Sequence, residues 1–209
     1  MNLQARVSES LVKVNKKNKK EEILEVASLY FLAHGYSGTS ITEMAREARI
    51  SKESIYRYFG SKENLFFAVI DKELWEYQEK LSPKVSDFSN LRETLILIGG
   101  AISAALNSDK TLALRRLIFQ QATLSADIGQ HYFSVGPKRA DELLSRLFKF
   151  HQDETRFSPE NLVQYFVAIV GHRLVLEREC RVQDVLTEHE AQSRIVKIVD
   201  DFIGAFFST

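Results

Sequence analysis

The chain has 209 residues, enough to bury a substantial core as one helical domain or as a small domain joined to a larger one. Its 28 basic and 28 acidic residues cancel, which excludes an overall polyanion-binding character and leaves only a local one. Cys180 is the single cysteine, so no intrachain disulfide or thiolate metal cage can form, and no run approaches the roughly 20 apolar residues of a membrane span; a soluble, cytoplasmic protein is expected.

The charge is distributed unevenly. Met1 to Lys62 carries 11 Lys/Arg against 7 Asp/Glu, a net of +4, and the remainder carries 17 against 21, a net of −4. Residues 1–17, polar and weakly periodic, read as a flexible basic arm that includes Lys13, Lys16 and Lys17. Few prolines and glycines, with long stretches at 3.6 spacing, predict an all-α fold.

The first helix is expected from about Asn18 to His34, with Ile23, Ala27, Tyr30 and Phe31 on one face and Gly35 as its stop. Ser40 and Glu43 then form a capping-box pattern before Ile41, Met44, Ala45 and Ala48. Ser51 is the next N-cap, opening a short helix from Lys52 to about Phe59 that buries Ile55 and Phe59 and ends at Gly60. Ser61 caps a longer one carrying Leu65, Phe66, Val69, Ile70, Leu74 and Tyr77. A connector over 82–90 leads to helices expected at about 91–107, 109–122, 125–133, 137–150, 159–178 and 188–207. Short joints between them predict an antiparallel bundle.

A joint of about three residues between 40–48 and 52–59 fixes a steep crossing, with the small Ala45 where the backbones approach. This is a helix-turn-helix, whose second helix fits a DNA major groove while the first crosses the backbone. Lys52 and Ser54 fall where side chains meet base edges, Arg57 follows one turn later, and Tyr56, Tyr58 and Lys62 flank them as phosphate donors.

Residues 18–66, through "ILEVASLYFLAHGYSGTSITEMA" and "SKESIYRYFGSKENLF", resemble the DNA-binding domain of the TetR family of bacterial transcriptional regulators. The resemblance implies DNA contacts from Thr39, Ser40, Ser51, Lys52, Ser54, Tyr56, Tyr58 and Lys62, with Tyr56 and Lys62 on phosphates. It departs from the family at Arg49, where glycine is usual. A left-handed Arg49 costs about 1 kcal/mol, and the favoured expectation is that it accepts this strain and gains a phosphate contact.

Residues 67–209 are similar to the family's effector-binding and dimerisation domain, and "LRRLIFQQATLSADIGQHYFSVGPKRADELL" looks like its AefR-like subgroup. The resemblance implies that the last two helices pair with a second copy. Phe166, Ile169, Val170, Leu174, Ile195, Ile198, Val199, Phe202 and Phe206 are the expected interface, being more apolar than a two-helix tail needs for itself.

The five histidines lack metal-ligand spacing, and no nucleophile with a base or phosphate-binding glycine loop is found, so neither metal, cofactor nor enzymatic activity is expected. Gly99-Gly100, inside a helical pattern, marks either close packing or a pocket wall. The expected function is a ligand-responsive repressor binding a pseudo-palindromic operator as a homodimer. Its effector is expected to be small and largely apolar, held by helices between about 91 and 176. The second reading is a helix-turn-helix architectural or partner-binding protein with no small-molecule effector.

Overall fold

The computed structural model describes residues 19–79 and 88–207. The basic arm of 1–17 and most of the 82–90 connector lie outside them, as does the side chain of Tyr77. Among the described residues the protein is all-α, with ten α-helices and one 3-10 turn. They are α1 (Lys19–Gly38), α2 (Ile41–Glu47), α3 (Lys52–Phe59), α4 (Lys62–Glu79), α5 (Leu91–Asn107), α6 (Asp109–Ala122), α7 (Ala126–Val135), α8 (Pro137–Phe150), the 3-10 turn Gln152–Glu154, α9 (Pro159–Glu179) and α10 (Glu188–Phe206). No helix of the described residues is long and apolar enough to cross a membrane.

The chain divides into two compact units, the first taking in the described residues up to Glu73 together with Ala113–Tyr132. The second comprises the described residues of 74–112 and 133–207. Sequence periodicity does not reveal that the middle segment returns to the first unit.

The first unit is built around the apolar face of α1. Ile23, Ala27 and Phe31 are fully buried, and Phe31 meets Phe66 of α4 edge-on at 4.9 Å between ring centroids. At Gly35 the backbone leaves helical geometry (φ 74, ψ 170), a left-handed conformation that glycine adopts without strain, so the regular helix stops there. The Tyr30 hydroxyl donates to the Glu47 carboxylate and ties α1 to α2. Burial, reinforced by Glu47, pushes the Tyr30 phenol above its ordinary value of 10.0.

The second unit has its own aromatic core. Phe148 of α8, Phe166 of α9 and Phe202 of α10 are buried together, with Phe166 edge-on to Phe202 at 5.1 Å. Gly99 of α5 lets this cluster close, because a Cβ there would stand 3.1 Å from Phe166 Cζ.

Most residues of the expected dimer interface also take part in this core. Phe166, Val170, Leu174, Ile195, Val199 and Phe202 are at most 2 % exposed in a single chain. All but Leu174 belong to an apolar cluster of the second unit that also takes in residues of α5 and α8. Ile198 and Phe206 are half-buried against the same cluster, and Phe206 stacks on Tyr165 at 5.3 Å. Of the nine residues only Ile169 is exposed. Residues of α5 and α8 of the same chain take part in covering this stripe.

Candidate nucleic-acid interface

The local sequence dictates the geometry of α2 and α3. Ser40 Oγ accepts from the Glu43 amide at 3.4 Å to start α2, and Ser51 Oγ accepts from the Ser54 amide at 3.1 Å to start α3. Between them Arg49 is left-handed, with φ 55. The Ile50 amide donates to the Ala45 carbonyl at 2.9 Å and the Arg49 amide to the Arg46 carbonyl at 3.3 Å, the paired bonds of a Schellman stop. A stop of this kind needs a left-handed residue, so Arg49 takes the strain where glycine would have none. Its side chain is exposed.

Helix α3 then has two faces. Ile55 and Phe59 point into the core, while Lys52, Glu53, Tyr56 and Arg57 are exposed. The Lys52 ammonium lies 5.9 Å from the Tyr56 ring centroid and the Arg57 guanidinium 5.3 Å from that of Tyr58. These cation–π contacts lay positive charge along the helix surface beside two rings that are each about 40 % exposed, 43 % for Tyr56 and 40 % for Tyr58. Ser54 Oγ accepts from Ser51 Oγ at 2.8 Å and from Arg57 at 3.4 Å, which leaves the Ser54 proton itself to donate outward.

Helix α3 ends at Gly60 (φ 75), and Ser61 Oγ accepts from the Asn64 amide at 3.0 Å to open α4. Lys62 is half-buried with its ammonium 4.6 Å from the Tyr36 ring centroid, and burial pulls its pKa below the usual lysine value. Tyr36 is the residue that sequence reasoning missed. It stacks on Phe31 at 5.9 Å and lies under the Lys62 ammonium, directly after the Gly35 break.

Two expected contacts change character. Thr39 is 3 % exposed, and its hydroxyl donates to the Gly35 carbonyl at 2.7 Å. Without DNA, that one hydroxyl proton secures the turn between α1 and α2. Ser51, exposed, donates its proton to Ser54 and accepts the Ser54 amide, so it sets the start of α3. Ser40, Lys52, Ser54, Tyr56, Arg57 and Tyr58 retain accessible surface in one unit with Arg49 and Lys62. Among the described residues no group of three His, Cys, Asp or Glu side chains is placed to hold a metal ion.

A short capped helix with one buried and one basic, aromatic face, following a tight helix-helix turn, defines the helix-turn-helix class of DNA-binding proteins. Residues 23–69 match the bacterial regulatory proteins of the tetR family, and residues 93–207 match the C-terminal domain of AefR-like transcriptional repressors. The chain belongs to the TetR family of transcriptional regulators and carries an AefR-like C-terminal domain.

Among curated relatives, the HTH-type transcriptional regulator HbdR of Aromatoleum sp. (strain CIB) is 27% identical over 92 residues, covering 44% of this chain and 40% of that protein. The chain thus spans about half or less of the length of the curated relatives it matches. The Flavonoid-responsive Regulator FrrA superposes with a TM-score of 0.74 at 25% identity, over 90% of this chain and 97% of that one. A putative TetR-family regulator from Mesorhizobium loti MAFF303099 also gives 0.74, at 21% identity over 91% and 97%.

Proposed function

We propose that the protein is a sequence-specific DNA-binding transcriptional repressor that acts as a homodimer and releases its operator when a small, largely apolar effector binds the second unit. The observation that carries this is α3, which presents Lys52, Ser54, Tyr56 and Arg57 outward while Ile55 and Phe59 anchor it. Base edges fall to Lys52 and Ser54, and phosphates to Arg49, Tyr56, Tyr58 and Lys62, with the α2 and α4 N-termini at Ser40 and Ser61 adding backbone amides.

The dimer seam is assigned to apolar surface that one chain leaves uncovered. Tyr165, Ile169, His172 and Leu176 are exposed on α9 at helical spacing, and Gly204 and Ala205 are exposed on α10. A Cβ at Gly204 would meet nothing within 4 Å, so a partner helix can approach closely there. A two-fold dimer carries two copies of α3 to successive major-groove turns, about 34–36 Å apart, and so reads an inverted repeat.

Effector release is a population shift, requiring tighter effector binding to the form that does not fit the operator. FrrA's description as flavonoid-responsive supports an effector of largely apolar character.

Selection of bound duplexes from a library of genomic fragments, followed by hydroxyl-radical footprinting, tests this reading. An inverted repeat with two protected patches about one helical turn apart is expected. Retention of fragments with no common sequence would favour an architectural role instead.

A further inference from the structure

We propose that the groove between α5 and the start of α10 is a binding site for a neutral, largely apolar small molecule. The proposal rests on reading the second unit as the sensing part of a regulator, and it assigns that role a place and a chemistry. The groove encloses about 540 Å³, within the range of roughly 300–1,000 Å³ usual for small-ligand sites. Leu97, Gly100 and Ala104 of α5 form one side, and Leu186, Ala191 and Ile195 form the other.

The far wall is held in place. Asn107 Nδ2 donates to the Leu186 carbonyl and its Oδ1 accepts from the Leu186 amide, both at 2.9 Å. Arg178 binds the Asp109 carboxylate and donates to the Gln183 carbonyl at 3.3 Å, fixing the same segment from below.

Two independent observations point to a ligand. The first is Gly100. Its neighbour Gly99 gives room to Phe166, and Gly171 to Leu106, since in each case a Cβ would stand 3.1 Å from that side chain. A Cβ at Gly100 would meet nothing within 4 Å. Alanine there would strengthen α5 without a clash inside the chain, so what glycine provides is room for something else to lie against the helix backbone. The second is Ser103, a residue of the groove lining that is 1 % exposed and has a hydroxyl with no hydrogen-bond partner in the chain. A buried hydroxyl needs a partner, and one polar atom on a bound molecule supplies it.

The lining also selects the ligand's charge. Among the described residues Glu188 is the only charged side chain of the lining, which holds no Lys, Arg or His to neutralise a carboxylate, sulfonate or phosphate. An anionic head would face Glu188 unpaired, whereas a neutral molecule with one hydrogen-bonding group would bury its apolar body and satisfy Ser103.

N-phenyl-1-naphthylamine and 1-anilinonaphthalene-8-sulfonate are a matched pair of fluorescent probes that differ by the sulfonate. Titrated into the full chain without DNA, the neutral amine should bind saturably, and the sulfonate about tenfold or more weakly than that. Gly100→Leu, which fills the groove from its floor, should lower the amine's affinity by about tenfold or more while melting at or above the wild-type temperature. Ala104→Leu, one turn along, should do the same, and it decides alone if Gly100→Leu melts below the wild type.

No saturable binding by the wild type, as when a second copy of the chain covers the groove, would overturn the proposal, as would unchanged affinity in the deciding variant. Equal or tighter binding of the sulfonate would overturn the assigned ligand class. Wild-type binding to duplex is measured separately, so the groove and the DNA-binding reading stand or fall apart from one another.

Discussion

Arg49 carries two opposed consequences in one residue. Its left-handed backbone is the conformation the α2 stop requires, and its side chain is exposed beside the recognition helix. Arg49→Gly should therefore raise stability by about 1 kcal/mol in a denaturant titration and weaken duplex binding, through loss of one phosphate contact. The strain was legible from the absence of glycine in "AREARI". The same device recurs unannounced at Arg181, also with φ 55, where the Val182 amide donates to the Glu177 carbonyl at 2.9 Å to end α9. Nothing local in the sequence marks it, because any residue can take that position if the flanking helix is held by packing. Tyr30 gives a pH test. Its phenol is neutral and bonded to Glu47, and its folded-state pKa is raised, so its contribution is full below about pH 10 and is lost as pH climbs toward the folded value. Tyr30→Phe should be less stable than wild type at neutral pH, and the gap should narrow above about pH 10; a gap that stays constant would contradict this account of Tyr30.

Among the elements, the helices themselves were readable because caps and stops are local chemistry. Ser40, Ser51, Ser158 and Thr187 each accept the amide three residues on, and Pro137 and Pro159 occupy first turns. What each apolar stripe meets is not local, so the spacing alone does not separate core from seam among the residues expected at the dimer interface. Val170 and Leu174 share the helical spacing of Ile169 and Leu176, and only the surrounding helices decide that the first pair is inside and the second outside. Ile169→Glu should accordingly dissociate the dimer in sedimentation analysis with little loss of protomer stability. Val170→Ala should instead cost about 1–3 kcal/mol of stability, read by denaturant unfolding. Within α3 and its flanks, Tyr56→Phe with Lys62→Ala should weaken binding to all duplexes and flatten the salt dependence, whereas Ser54→Ala should change sequence preference.

For the molecule as a whole, the division of the chain was the least legible feature. A boundary near residue 66 follows from the motif, yet Ala113–Tyr132 shares the first compact unit, where His131 stacks on Phe67 at 4.4 Å and its Nε2 lies 2.7 Å from Asp71. Such long-range returns depend on tertiary packing and leave no periodic trace. They matter to function, because a regulator needs its reading helix to feel events elsewhere in the chain. The central claim is nevertheless simpler than the coupling: the basic, aromatic face of α3 is what holds duplex DNA. It is tested most directly by the affinity of a selected duplex for wild type and for Lys52→Glu at low salt, about 50 mM, with both proteins shown to be folded dimers. The account predicts tight binding by the wild type, lost by two or more orders of magnitude in the variant; equal affinity of the two would contradict it.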